Sequence, residues 1–253
     1  MINPLKYLEV NRFRLHHPAV SADLEGALIA QVTDIHMGRW VKPSHVRQVI
    51  HYVNSMNPDL VALTGDYVGY SKLDLLPCVE TFQEFVAPAY AVLGNHDHWT
   101  STEVSHEAFE RYGIPLLTNE SREVPCRNST VALVGVDDLV TKHADVPKAF
   151  RGVNPDQFCL TLNHVPAAAW DCADHGAHLI LSGHTHGFQF NIPKFTNALA
   201  ERMGTQLFAG PYVIKEAVLY ISRGLGSASW PWRIRAQPEL TFFELVNGRR
   251  PEL

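Results

Sequence analysis

Five short stretches hold nearly every residue of this 253-residue chain that is equipped for hard chemistry. They are Asp34-Ile35-His36, Gly65-Asp66, Gly94-Asn95-His96-Asp97, Asn163-His164 and Gly183-His184-Thr185-His186. Taken as metal ligands, Asp34, His36, Asp66, Asn95, His164, His184 and His186 supply two carboxylates, one amide and four imidazoles, with His96 beside them. Asp34 and His36 share a face on a continuing strand, or chelate one ion in a loop. Gly65 permits close approach of backbone and metal, and the two oxygens of Asp66 can bridge two ions. Asn95 offers a neutral oxygen, and the imidazoles suit iron, manganese and zinc better than calcium or magnesium. Each stretch alone has a plain structural explanation: a chance Asp-x-His, a turn at Gly-Asp, a surface Asn-His pair. All five in this order point instead to two metal ions set for attack on a phosphate ester.

The elements that position these residues alternate between apolar runs and helical periodicity. Strands are expected over Ala27–Thr33, Leu60–Thr64, Ala89–Leu93, Val131–Val136, Phe158–Leu162, His178–Leu181, Val218–Ser222 and Leu240–Val246. Val46, Val49, Ile50, Val53 and Met56 recur at helical spacing and predict a helix over Pro43–Met56. Further helices are expected over Pro77–Val86 and Thr102–Tyr112, the latter ending at Gly113. Each chemical motif follows an apolar strand, and in α/β sheets ligands collect beyond the carboxyl ends of the strands. Five strand ends on one rim would gather residues 34 to 186 into a single pocket. No internal repeat, low-complexity tract or linker interrupts the series, so one domain over residues 1–253 is expected.

Hydrophobic residues make up 46% and charged residues 19%, a globular composition that excludes wholesale disorder. The net charge of −5, from 21 basic and 26 acidic residues, lacks the basic excess of a nucleic-acid-binding domain, so no nucleic acid polymer is expected as a partner. Cys78, Cys126, Cys159 and Cys172 include no Cys-x-x-Cys and read as buried free thiols in a reducing compartment. Met1–Gly26 is broken up by Arg12, Arg14, His16, His17, Asp23 and Glu25, unlike a signal peptide, and no run of 18 apolar residues occurs. A cytoplasmic location is expected.

The five motifs resemble those of the calcineurin-like metallophosphoesterase superfamily, D-x-H, G-D, G-N-H-[DE], a later H and G-H-x-H, over roughly residues 27 to 187. The resemblance implies one metal held by Asp34, His36, Asp66 and His186, and a second held by Asp66, Asn95, His164 and His184. It implies manganese, iron or zinc as the ions, and an α/β fold: a four-layer α-β-β-α sandwich, two mixed sheets face to face with helices outside. Gly183–Gly187, Leu219–Gly226 and Arg233–Leu240 also resemble a bacterial branch that includes membrane-associated UDP-diacylglucosamine diphosphatases. Two departures stand out: the chain shows no N-terminal membrane segment, and Gly187-Phe188-Gln189 replaces the branch's usual second glycine.

A hydroxide bridging the metals is the expected nucleophile for in-line attack, with His96 as general acid and Asp97 either orienting it or capping the segment that follows. His98 and Trp99 line the pocket or serve structure. Asp137 and Asp138 support a histidine ligand or close a turn. Arg223, Arg233 and Arg235 grip phosphate or lie on the surface. Trp230-Pro231-Trp232 is expected to pack over the core edge or line the pocket, against the alternative of a membrane or acyl contact. Two substrate readings stand. One is a lipid-linked phosphodiester or pyrophosphate such as UDP-diacylglucosamine, with at most peripheral contact at the inner membrane. The other is a nucleotide or small phosphate ester cleaved by a soluble phosphodiesterase or phosphatase.

Overall fold

A computed structural model of the protein describes residues 6–189, 191–192, 207–227 and 230–253. Five strands are buried at every residue: β2 (Leu28–Val32), β3 (Leu60–Thr64), β7 (Cys159–Asn163), β8 (Leu179–Ser182) and β10 (Ala217–Ile221). That is why each reads as a mainly apolar run and not as an alternation. Around them lie β1 (Glu9–His17), β4 (Ala89–Val92), β5 (Glu120–Cys126), β6 (Ser129–Val136), β9 (Gly210–Ile214) and β11 (Glu239–Asn247).

The strands form two mixed sheets. One has the order β1-β11-β2-β3-β4, the other β5-β6-β7-β8-β10-β9. Between them a core including Ile29, Leu60, Ala62, Leu133, Leu160, Leu162, Leu181, Tyr220 and Phe243 excludes water. The first sheet's outer face is covered by α1 (Pro43–Ser55), α2 (Leu75–Thr81) and α3 (Asn95–Tyr112), the second's by α4 (Val146–Ala149) and α5 (Ala169–Asp174). This is the expected α-β-β-α order of layers, burying apolar surface on both faces of each sheet.

Helix α1 buries Val46, Val49, Ile50 and Val53, the predicted stripe, and starts with Pro43 in its first turn. The predicted helix over 77–86 is split into α2 and a 3₁₀ turn at Phe82–Glu84. Helix α3 begins seven residues earlier than predicted, at Asn95, so Asn95-His96-Asp97 forms its first turn. Ser101 then leaves helical geometry (φ −179°, ψ 113°), and the predicted segment follows to Gly113 in the left-handed C-terminal position. Strands β1, β5 and β9, absent from the sequence expectation, each lie at a sheet edge. All four cysteines are buried and free, as expected.

Candidate metal centre

The loops after β2, β3, β4, β7 and β8 meet on one rim. Asp34 and His36 follow β2, Asp66 follows β3, Asn95 opens α3 after β4, His164 follows β7, and His184 and His186 follow β8. Five of these seven residues have left-handed backbone: Asp34 (φ 50°), His36 (47°), Asp66 (56°), His184 (72°) and His186 (52°). Non-glycine residues rarely adopt it, at roughly 1–3 kcal/mol each, and such strain clusters at functional sites. The surrounding loops hold it in place. The Gly65 carbonyl accepts from Asp34 N–H (2.9 Å), the Asp66 carbonyl from His36 N–H (3.0 Å), and the Asp34 carbonyl from Gly226 N–H (2.7 Å).

Three overlapping groups have ligand atoms mutually within 4.8 Å: Asp34–His36–His186, His36–Asp66–His96 and Asp66–His164–His184. His36 Nε2 lies 3.0 Å from His186 Nε2 and 3.5 Å from Asp66 Oδ2, and His186 Nε2 lies 3.4 Å from Asp34 Oδ1. On the other side, His164 Nε2 is 3.2 Å from Asp66 Oδ2, and the His164 and His184 rings are 5.2 Å apart. Asp66 thus stands between two clusters. Asn95 Oδ1 is buried with no hydrogen-bond partner, a costly condition for a polar atom. An orphaned donor of an electron pair among carboxylates and imidazoles fits a metal pair.

The electrostatics agree. Burial, with nearby charge in a lesser part, pushes the Asp34 carboxyl up to about 6, and burial pushes His36 and His184 down to about 4. Neutral imidazoles carry the lone pair that a metal needs. Asp66 and His164 go the other way: burial opposes their charges, but each holds the other ionised, so Asp66 is lowered and His164 raised to about 10.

His96 sits beside the cluster. Its Nδ1 is 2.6 Å from the Gly69 carbonyl, its backbone N–H donates to Asp66 Oδ1 (2.8 Å), and its ring lies near those of His36, Tyr70 and Trp99. Of the two roles expected for Asp97, the structure shows capping and not orientation of His96. The Asp97 carboxylate accepts the backbone N–H groups of Asp66 (2.8 Å), Tyr67 (2.9 Å) and Gly94 (2.9 Å), clamping two motif loops together. Position N3 of a helix aims a carboxylate back at its own N-terminus, not outward along the residue before it.

Of the other candidates, His98 bonds Asp137 (2.7 Å) and stacks on His143 (4.2 Å), so Asp137 supports His98 and none of the seven ligands. Asp138 accepts from the Thr141 backbone and hydroxyl, a turn closure. Arg223 is committed to Glu239 (2.6 Å) and Glu9 (2.7 Å), and Arg235 is exposed. Arg233 donates to His186 Nδ1 (3.1 Å). Trp230 and Trp232 are 60% and 58% exposed and stack on each other, which corrects the expected packing over the core edge and leaves the pocket-lining alternative standing. Gln189 donates to both of their carbonyls, which fastens this loop to the segment carrying His184 and His186. No residue pattern announced the left-handed ligands, Arg233 behind His186, or the tight place of Gly224, where a Cβ would stand 2.3 Å from Asp34 Cβ. Glycine beside arginine in the 223–226 stretch was the only available signal.

Residues 27–188 match the family model for calcineurin-like phosphoesterases. An uncharacterized metallophosphoesterase, YkuE of Bacillus subtilis, is 27% identical, covering 96% of this chain and 88% of its own. The phosphodiesterase YaeI of Escherichia coli is 31% identical over 85% of this chain and 80% of its own. The UDP-2,3-diacylglucosamine pyrophosphatase LpxG of Chlamydia trachomatis is 26% identical over 87% and 84%. A solved structure, TT1561 of Thermus thermophilus, superposes with a TM-score of 0.54 at 10% identity, covering 79% of this chain and 90% of its own, and supports the fold. Motifs, fold and relatives agree: the chain belongs to the calcineurin-like phosphoesterase family, whose centre is dinuclear, and is a metal-dependent phosphoester hydrolase.

Proposed function

We propose that this protein hydrolyses a phosphodiester or pyrophosphate bond, with Asp34, His36, Asp66 and His186 holding one ion and Asp66, Asn95, His164 and His184 the other. The observation that carries this division is the pair of ligand groups flanking Asp66. Manganese, iron or zinc suits the donor set. Such an ion pair, when bound, supplies the Lewis acidity that activates the attacking water and offsets phosphoryl charge. His96 is the proton donor to the leaving oxygen: the Gly69 carbonyl fixes its Nδ1–H and turns Nε2 toward the cluster. Asp97 holds the Asp66 and Gly94 loops in register, so that Asp66 and Asn95 keep their places. The whole chain, residues 1–253, is read as one such domain.

For the substrate we favour a lipid-linked diester or pyrophosphate, acted on at the cytoplasmic face of the inner membrane. Exposed aromatic rings lie beside His96, at Tyr70 and Trp99, and on the loop that Gln189 fastens to the His186 segment, at Trp230 and Trp232. Exposed tryptophans suit an acyl chain or a lipid headgroup boundary. The contact we propose is peripheral; among the described residues no helix is long and apolar enough to cross a membrane. The likeness to the pyrophosphatase LpxG supports this reading, and the likeness to the phosphodiesterase YaeI supports a second, a small soluble ester. A substrate panel on metal-reconstituted protein decides between them: UDP-diacylglucosamine in detergent, nucleoside diphosphate sugars, cyclic nucleotides and an aryl phosphodiester. Preference for the acylated substrate, reduced in Trp230→Ala/Trp232→Ala, is expected. Cleavage of the small esters alone would replace the lipid reading with the second.

A further inference from the structure

The atoms behind the candidate ligands differ between the two groups. A histidine that binds metal through one ring nitrogen carries its proton on the other, where an acceptor normally holds it. His164 is arranged in this way. Its Nδ1 lies 2.7 Å from the Thr64 carbonyl, which holds the Nδ1 proton and leaves Nε2, 3.2 Å from Asp66, as the atom a metal can take. His186 is arranged in the opposite way. Its Nε2 faces His36 and Asp34, while Nδ1 lies 3.1 Å from Nη2 of Arg233. A guanidinium has five donors and no acceptor. Nδ1 must therefore accept, and the ring proton belongs on Nε2, where His36 Nε2 at 3.0 Å receives it. Arg233 has little freedom to swing aside, because it also donates to the carbonyls of Arg223 (2.7 Å), Ala236 (3.1 Å) and Gly226.

With an ion bound at Nε2 the neutral ring would carry its proton on Nδ1, facing a positively charged group that can only donate. We propose that Arg233 is a positioning residue that weakens the ion on His186, holding the ring in place while withholding the acceptor a metal-bound imidazole needs. The inference rests on the division of ligands proposed above. A ring deprived of its acceptor donates less to its ion, which leaves that ion more electron-poor toward a phosphoryl oxygen and more readily exchanged. A simple brace between the 223–236 segment and His186 predicts the opposite sign, since removing a brace loosens the ion.

The test is calorimetric titration of metal-stripped protein with manganese(II) chloride, using the ion on His164 and His184 as internal reference. Arg233→Gln supplies an amide oxygen that can accept from Nδ1–H. It is expected to tighten the His186 ion about tenfold or more, the scale on which such outer partners act, and to leave the reference ion unchanged. Arg233→Lys, charged and without an acceptor, is expected to bind like the wild type. Unchanged or weaker binding in Arg233→Gln overturns the proposal. A measurement on the unmutated, metal-free chain guards against a variant that disturbs the loop: long-range ¹H–¹⁵N spectra should show Nδ1 of His186 without a proton and Nδ1 of His164 with one. A proton on His186 Nδ1 overturns the proposal. His186→Ala separates the two levels of the account. If it still binds both ions, the ligand division fails and the proposal with it; if it loses one ion while Arg233→Gln matches the wild type, the proposal alone fails.

Discussion

Replacing Gly224 by alanine tests whether the segment beyond the matched span of residues 27–188 helps to build the metal site. Gly224 has φ +68°, and a Cβ there would stand 2.3 Å from Asp34 Cβ and 3.0 Å from Asp34 Oδ2. Gly113, at the end of α3, also has φ +68°, but nothing lies within 4 Å of its Cβ position. The pair therefore isolates the collision from the backbone strain. Left-handed backbone costs an alanine about 1–2 kcal/mol, and forcing a methyl into filled space costs about 1–3 kcal/mol more. Gly113→Ala is expected to lose about 1–2 kcal/mol and Gly224→Ala about 2–5 kcal/mol. At about 2–4 °C per kcal/mol for a chain of this size, Tm falls by about 2–8 °C in the first and about 4–20 °C in the second. Both losses are smaller than a typical total stability of about 5–15 kcal/mol, except where the larger meets the low end. The displaced group in Gly224→Ala is Asp34, so manganese binding weakens there and stays intact in Gly113→Ala. Scanning fluorimetry of metal-stripped protein gives the first quantity and titration calorimetry the second. Equal Tm losses, with wild-type metal binding in Gly224→Ala, would refute the reasoning.

Three further outcomes are expected. His96→Ala keeps its metal content and loses about 10²–10⁴ in kcat on an aryl phosphodiester; unchanged turnover with full metal removes His96 from the chemistry. Asp97→Asn turns an NH₂ toward at least one of the three backbone N–H groups that the carboxylate accepts. Loss of one charge-assisted bond costs about 1.5–3 kcal/mol, and an unaltered Tm in this variant would contradict the clamp. Far from the site, burial and then the neighbouring His17 push His178 from its ordinary 6.5 down to about 4. The unfolded chain then binds more protons between those values, so this contribution is present above pH 6.5 and lost as pH falls toward 4. His178→Asn, which keeps an acceptor for the Cys159 N–H, should lose less Tm than the wild type between pH 7 and pH 5. An identical pH response in both proteins would count against it.

The motifs were legible because chemistry restricts residue type: few sequences place Asp34, Asp66, Asn95 and His184 each at the end of an apolar run by chance. The central strands were legible for a related reason. Leu60–Thr64 matches β3 residue for residue, since a strand buried on both faces is mainly apolar along its length. Strands β1, β5 and β9 escaped because they are edges. Glu9–His17 and Glu120–Cys126 carry charges that shield an open edge, and Pro125 sits in β5, so the residues that keep the fold from aggregating also conceal the strand. What surrounds the ligands was invisible for want of any local signal. The bond from Arg233 to His186 spans 47 positions, and the Asp34 contact with the His184 N–H spans 150. Asp97 shows the same limit in one residue: its type and place were read from the motif, but its three partners depend on how the β3 and β4 loops meet.

Metal content, read together with hydrolysis, tests the central claim most directly. The stripped protein should be inert toward an aryl phosphodiester, regain activity with manganese(II), and hold two ions per chain by elemental analysis. Asn95→Ala, which removes one orphaned ligand atom, should hold one ion firmly and lose most turnover. A stripped protein that hydrolyses the ester at the reconstituted rate, or an Asn95→Ala protein with two tightly held ions and full activity, would contradict the account.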